Sequence, residues 1–127
     1  MLKTKSSRKK NKKYPQVGLH MIADFWGMKT IDDATQIEEI LKEAARKANA
    51  TLLKVSSYKF QPQGVTAVVL LSESHITIHT WPERQYASID AFTCGKHTDP
   101  KKAIKFLREV FKPKKANIIK ISRGEGP

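Results

Sequence analysis

A two-layer α+β sandwich, built from one mainly antiparallel sheet with two helices on the same face, follows from the order of elements along this chain. The hydrophobic pattern reads strand, helix, four strands, helix, strand. The four central strands are joined by short turns, which forces antiparallel pairing between neighbours. Both helices are apolar along one side only, so together they cover one sheet face and leave the other open. At 127 residues the chain has material for one domain.

The first strand is Val17 to Trp26, a largely apolar run broken at Gly27. Thr35 followed by Glu38 has the spacing of a capping box, and Ile37, Ile40, Leu41, Ala44, Ala45 and Ala48 then recur at helical spacing up to Asn49. Strands are expected at Thr51 to Phe60, at Val65 to Leu71 beyond the turn residues Gln61-Pro62-Gln63-Gly64, and at His75 to Trp81, which Pro82 ends. A further strand, Tyr86 to Thr93, runs into Cys94-Gly95. Asp99 as N-cap and Pro100 in the first turn open the second helix, whose apolar face is Ala103, Ile104, Leu107, Val110 and Phe111, and Pro113 stops it. Ala116 to Ile121 is the last strand, followed by a polar end. Unless polar, the uncovered sheet face is expected to pair with a second copy.

Charge is unevenly spread. The chain carries 24 Lys and Arg against 12 Asp and Glu, a net +12. Seven of those basic residues, and no acidic one, fall in residues 1–13, so the rest carries only +5. Residues 1–14 are therefore read as a basic, solvated, flexible tail preceding a single domain at 15–127. The tail lacks the apolar stretch of a secretory signal. It suits a nonspecific electrostatic tether to nucleic acid or an anionic surface, but a merely solubilising extension explains it more simply. The longest apolar run, Val65 to Leu71, is strand-length and far below the roughly 20 residues of a membrane span. A single cysteine, Cys94, rules out an intrachain disulfide and a cysteine-zinc structural site, and fits a reducing cytoplasm.

Reactive side chains concentrate in Ser72 to Glu83 and at Cys94. Strand alternation turns Ile76 and Ile78 to the core and His75, Thr77, His79 and Trp81 to the other face. His75 and His79 have the spacing of a helical metal pair, but on a strand they lie roughly 13 Å apart, too far to share one ion. No metal is expected. Ser74 with His79 as base and Asp90 as orienter, or Cys94 with His79, are nucleophile arrangements open by residue type, although no oxyanion loop or GxSxG elbow accompanies them. Satisfied polar residues of a binding domain are the plainer reading of the same row.

The contiguous stretch Glu73-Ser74-His75-Ile76-Thr77-Ile78-His79-Thr80-Trp81-Pro82-Glu83 resembles the processing signature of the small prokaryotic S-adenosylmethionine decarboxylase proenzymes. Gly18-Leu19-His20, Phe60-Gln61-Pro62-Gln63-Gly64-Val65, Phe92-Thr93-Cys94-Gly95 and Asp99-Pro100 match in the same order, so the resemblance spans about Gly18 to Gly124. It implies an enzyme that cleaves itself between Glu73 and Ser74 into 1–73 and 74–127. A pyruvoyl group would be made from Ser74, with neither pyridoxal phosphate nor metal required. His79 matches the base that assists elimination, Thr66 the position that supports processing, and Cys94 the proton donor of decarboxylation. The pyruvoyl ketone would form a Schiff base with the substrate amine and accept the electron pair left as carbon dioxide departs. Phe60, Trp81 and Glu83 match the substrate-binding region, where an aromatic face suits an adenine or sulfonium and a carboxylate suits ribose hydroxyls. Phe60 and Glu83 are equally open to structural or simply solvated roles.

Two positions depart from the pattern. Thr66 stands where many relatives have serine; it keeps the hydroxyl but restricts its rotamer. Gln63 replaces an aromatic often found before the glycine. The implied product is decarboxylated S-adenosylmethionine for spermidine synthesis, from a cytoplasmic homodimer of cleaved protomers. Arginine is the alternative substrate, since pyruvoyl enzymes of similar architecture decarboxylate it and Glu83 also suits a guanidinium. The alternative of another class is an unprocessed nucleic-acid-binding or regulatory homologue that uses the basic tail.

Overall fold

In the computed structural model, which describes residues 13–127, six strands form one sheet and two helices pack on one of its faces. The strands are β1 (Gly18–Trp26), β2 (Leu52–Lys59), β3 (Val65–Leu71), β4 (Ser74–Trp81), β5 (Tyr86–Cys94) and β6 (Lys115–Arg123). The helices are α1 (Ala34–Lys47) and α2 (Pro100–Phe111). The sheet order is β2-β3-β4-β5-β1-β6, and every neighbouring pair is antiparallel.

Strands β2 to β5 form a meander because their connections are short. The helices account for the rest. α1 carries the chain from β1 to the far edge at β2, and α2 carries it from β5 over β1 to β6. α1 packs on β2 and β3, α2 on β1 and β5, and the helices touch each other. Their apolar stripes, Ile37, Leu41 and Ala44 on α1 and Ile104, Leu107 and Phe111 on α2, are buried against the sheet. The sheet meets them with alternate residues such as Phe25, Val69, Ile76, Ile78 and Ile89, all nearly solvent-free. Alanines at 23, 67, 87 and 91 keep the layer thin enough for close helix approach.

The helix ends follow local chemistry. α1 terminates in a Schellman turn, with Asn49 at φ 60° and its N–H donating to Arg46 O, while the Ala50 N–H donates to Ala45 O. α2 begins as expected, the Asp99 carboxylate accepting from Lys101 N at 3.0 Å. The start of α1 differs from the expected capping box. Asp33 is the N-cap, accepting from Gln36 N at 3.0 Å, and Thr35 already lies inside the first turn. A box needs extended backbone at its first residue, which Asp33 has and Thr35 lacks. Glu38 is thereby released to accept from the Ser57 hydroxyl on β2.

Most of the expected tail, residues 1–12, lies outside the described residues. Its last residue is tied down: Tyr14 forms a two-way backbone bridge with Gly126. β6 also runs two residues past the expected Ile121, to Arg123, because β1 offers it a partner along its whole length.

The revised cap gives a direct test. Asp33→Ala is expected to cost about 1 kcal/mol in chemical denaturation, the usual loss for an N-cap. Thr35→Ala should stay within about 0.5 kcal/mol, and the reverse ranking would restore the capping box.

Candidate active site

The face opposite the helices carries the reactive row, and its alternation agrees with the expectation for β4: Ile76 and Ile78 are buried, while His75, Thr77, His79 and Trp81 lie on the uncovered side. The same side is partly apolar, with Tyr58, Leu70, Trp81 and Ile119 between 40% and 64% exposed. The row divides into two ends, because β4 runs its full length across the sheet.

At the first end, β3 and β4 are joined by the two-residue turn Ser72-Glu73. Glu73 is 6% exposed, yet its carboxylate is fully partnered. Oε1 accepts from Thr51 N at 2.9 Å, and Oε2 accepts from Thr51 Oγ1 at 3.3 Å and pairs with His97 Nε2 at 2.7 Å. The Thr51 N–H, then His97, hold the Glu73 carboxyl below its ordinary value in spite of burial. The backbone is held as well, Glu73 O accepting from Cys94 N at 2.9 Å. Ser74, the next residue, has φ +131°. That region suits glycine, and a serine held there stores roughly 1–3 kcal/mol of strain. β1 approaches closely on the other side of Cys94: a Cβ on Gly18 would come within 2.4 Å of Thr93 O.

At the far end, His79 Nδ1 shares a 2.9 Å hydrogen bond with Thr66 Oγ1, its cross-strand partner on β3. Phe60 is fixed at the end of β2 by its N–H on Gly64 O and by an edge contact with Tyr58, and is 46% exposed. Trp81 stacks loosely on Tyr86, which itself stacks on Trp26. Glu83 is exposed on the 3₁₀ turn Pro82–Arg84 just beyond β4. The chain therefore joins Glu73, Ser74 and Cys94 at one end of β4, and at the other end places Thr66, His79, Phe60 and Trp81, with Glu83 on the turn beyond. Five residues of strand separate Ser74 from His79, roughly 16 Å.

The serine-histidine-aspartate arrangement open by residue type does not assemble. The β4–β5 register sets Asp90 opposite Thr77 and His79 opposite Ser88. Asp90 is instead a hub: Oδ2 meets His20 Nε2 at 2.9 Å and His75 Nε2 at 3.4 Å, and Oδ1 accepts from the Thr77 hydroxyl. Partial burial pushes the Asp90 carboxyl up, but the bonds from Thr77, His20 and His75 outweigh it and hold it below its ordinary 3.8.

Sequence reasoning weighed His75 against His79 alone, rejected that pair, and missed His75 with His20, although His20 stood in a matched motif and alternation puts it on the same face as Asp90. The His20, His75 and Asp90 ligand atoms lie within 4.8 Å of one another. The bonds already made oppose a metal there. Arg123 Nη1 sits 2.8 Å from His20 Nδ1, and because a guanidinium only donates, Nδ1 supplies the lone pair and the ring proton is on Nε2. That proton points at Asp90 and blocks the nitrogen an ion would need.

The family model described as S-adenosylmethionine decarboxylase matches residues 19–124 of this chain. The chain belongs to the S-adenosylmethionine decarboxylase family. Among its relatives, an S-adenosylmethionine decarboxylase proenzyme of Methanococcus maripaludis is 47% identical over 111 residues, covering 86% of this chain and 91% of the relative. One of Thermomicrobium roseum is 44% identical over 109 residues, covering 85% and 94%. The crystal structure of the adenosylmethionine decarboxylase from Aquifex aeolicus superposes with a TM-score of 0.82 at 38% identity, covering 88% of this chain and 94% of that one. The α+β sandwich expected from the sequence is thus the architecture of a family member.

Asp90 gives a pH test with a definite sign. A carboxyl lowered in the folded state stabilises it above the unfolded value, near 3.9, and that contribution disappears as pH falls through the folded value. Asp90→Asn should therefore melt lower than the parent at neutral pH, with the gap closing as pH falls below about 4. A gap independent of pH would mean that the hub contributes nothing through its charge.

Proposed function

We propose that this chain is made as a proenzyme that cuts itself between Glu73 and Ser74, converts Ser74 to a pyruvoyl group, and then decarboxylates S-adenosylmethionine. The observation that carries the reading is the backbone at the cut: a carbonyl already held by the Cys94 N–H, followed by a serine at φ +131°. The first also continues the β4–β5 ladder, but a binding module has no need of the second, and the processing chemistry uses both.

Ser74 Oγ adds to the Glu73 carbonyl carbon, and the Cys94 N–H stabilises the charge that gathers on the carbonyl oxygen. The C–N bond then breaks, the Ser74 nitrogen takes up the proton that its hydroxyl gives up, and an ester replaces the amide; the strained φ of Ser74 favours this release. His79, steadied through Nδ1 by Thr66, takes the Ser74 α-proton, and the Glu73 carboxylate leaves with the C–O bond. The dehydroalanine that remains takes up water and loses ammonia to become pyruvoyl. Threonine at 66 keeps the hydroxyl that this positioning uses. When present, the pyruvoyl ketone supplies the electron sink for decarboxylation, without metal or pyridoxal phosphate. The Cys94 thiol, on the residue whose N–H holds the Glu73 carbonyl, returns a proton to the substrate α-carbon.

His79 reaches Ser74 only if two copies share the work. A second sheet laid antiparallel on the open face, about 10 Å away, puts its far end over the first end of its partner. The exposed apolar residues of that face favour such a homodimer. Each site would then combine Ser74 and Cys94 of one copy with His79, Thr66, Phe60, Trp81 and Glu83 of the other. Phe60 and Trp81 offer exposed ring faces to an adenine and a sulfonium, and Glu83 an acceptor for ribose hydroxyls. The relatives' names favour S-adenosylmethionine over arginine as substrate. The product, still bearing its aminopropyl group, suits spermidine synthesis.

Intact mass under denaturing conditions is expected to give two pieces, 1–73 and a 74–127 piece with an N-terminal pyruvoyl, whereas Ser74→Ala gives one. The cleaved protein should release carbon dioxide from carboxyl-labelled S-adenosylmethionine and not from labelled arginine. A wild-type chain still whole after prolonged incubation would sink the reading and revive the binding class. The shared site predicts complementation. His79→Ala alone should stall before pyruvoyl forms, and co-expression with Ser74→Ala should restore cleavage of the His79→Ala chain. Failure to restore it would place both groups in one copy.

A further inference from the structure

The decarboxylation chemistry makes no use of His97, yet the structure holds this exposed side chain with unusual care. It lies in the loop between β5 and α2, its Nε2 2.7 Å from the buried Glu73 carboxylate. The loop is fixed from several directions. Asn49 Nδ2 donates to His97 O at 2.9 Å, and the Thr98 hydroxyl donates to Cys94 O at 2.9 Å. The imidazole lies over the bare face of Gly95: a Cβ there would come within 2.9 Å of His97 Cε1 and 3.0 Å of Nδ1, and Gly95 also has φ +90°. A glycine at 95 therefore serves the ring of His97 as well as its own turn.

The carboxylate so gripped belongs to the residue whose carbonyl lies at the cut. Thr51 reaches it from the start of β2 and His97 from the opposite side, while the Cys94 N–H holds the carbonyl of the same residue. Side chain and main chain of Glu73 are thus held at separate points, which removes the rotations that would swing the carbonyl away from Ser74. Resting on the self-cleaving reading above, we propose that His97 is a positioning residue for maturation. With Thr51 it clamps the Glu73 side chain, aligning the carbonyl for attack, and after cleavage it keeps the new C-terminus of 1–73 seated beside Cys94.

The clamp needs an N–H at the Nε2 position, and glutamine can supply one there. Self-cleavage of newly refolded full-length chain is timed by intact mass for wild type, His97→Ala and His97→Gln. His97→Ala is expected to cleave about tenfold slower, and His97→Gln to recover most of the rate. The matured proteins are then exposed to a carboxypeptidase. Glu73 should resist removal in wild type and His97→Gln, and be trimmed in His97→Ala. Melting of each variant on an uncleaved Ser74→Ala background separates the clamp from a general loss of fold, because rescue of cleavage by glutamine does not follow from melting temperature. Equal cleavage rates and equal trimming in wild type and His97→Ala would overturn the clamp while leaving the self-cleaving reading intact. A slow His97→Ala that glutamine does not rescue would overturn it too. A wild-type chain that never cleaves would overturn both.

Discussion

A buried carboxylate must be answered by donors, and meeting that demand at Glu73 organises the end of the sheet where the chemistry is concentrated. The turn between β3 and β4 cannot shift register without pulling an ionised group away from Thr51 and His97, the donors that hold it. Register is therefore set at the turn and passes outward. It puts Ser74 against Thr93, Cys94 N on Glu73 O, Asp90 against Thr77, and His79 against Thr66. A slip of one residue on β4 would turn Ile76 and Ile78 to solvent and the histidines into the core.

The uncovered face combines two demands that usually conflict. It carries hydrogen-bonded polar groups, in the Arg123–His20–Asp90 relay and the Thr66–His79 pair, amid apolar side chains that water solvates poorly. Because the polar groups satisfy one another within the sheet, covering the face leaves few of them unpartnered. Such a face can be buried in an assembly without a large desolvation penalty. The helical face has no such role; its small and branched residues serve packing alone.

Period and punctuation made the elements legible. Alternation identified the six strands, and the apolar stripes with Asp99-Pro100 and Pro113 identified the helices. The start of α1 was misread because Thr35 and Glu38 satisfy a pattern that Asp33, two residues earlier, satisfies with a better acceptor. The position of β1 between β5 and β6 was not legible, since pairing between strands 60 or more residues apart depends on packing that no local window contains. The same gap hid the site. Glu73, Ser74, His79 and Cys94 were conspicuous by residue type and motif, but Asp90 was considered only as a partner for His79, whereas register gives it to His20 and His75. His97 gave no signal, because an exposed histidine in a polar loop is unremarkable until the side chain it touches is known.

The interleaving of the two halves around residue 73 bears on the life history of the molecule. β1 comes from the first half, yet it lies between β5 and β6 of the second, and β3 is zipped to β4 along the line of the cut. Tyr14, ahead of β1, and Gly126, beyond β6, add a further bridge between the two halves. A cut after residue 73 would therefore separate nothing, and each piece alone would keep just one strand pair of the six-stranded sheet, β2–β3 or β4–β5. A folded molecule cut there would keep its shape, but an unfolded one would have to reassemble from two partners, with a concentration dependence the parent never had. Maturation would turn an ordinary reversible folder into an object that is built once, its persistence set by how slowly it comes apart.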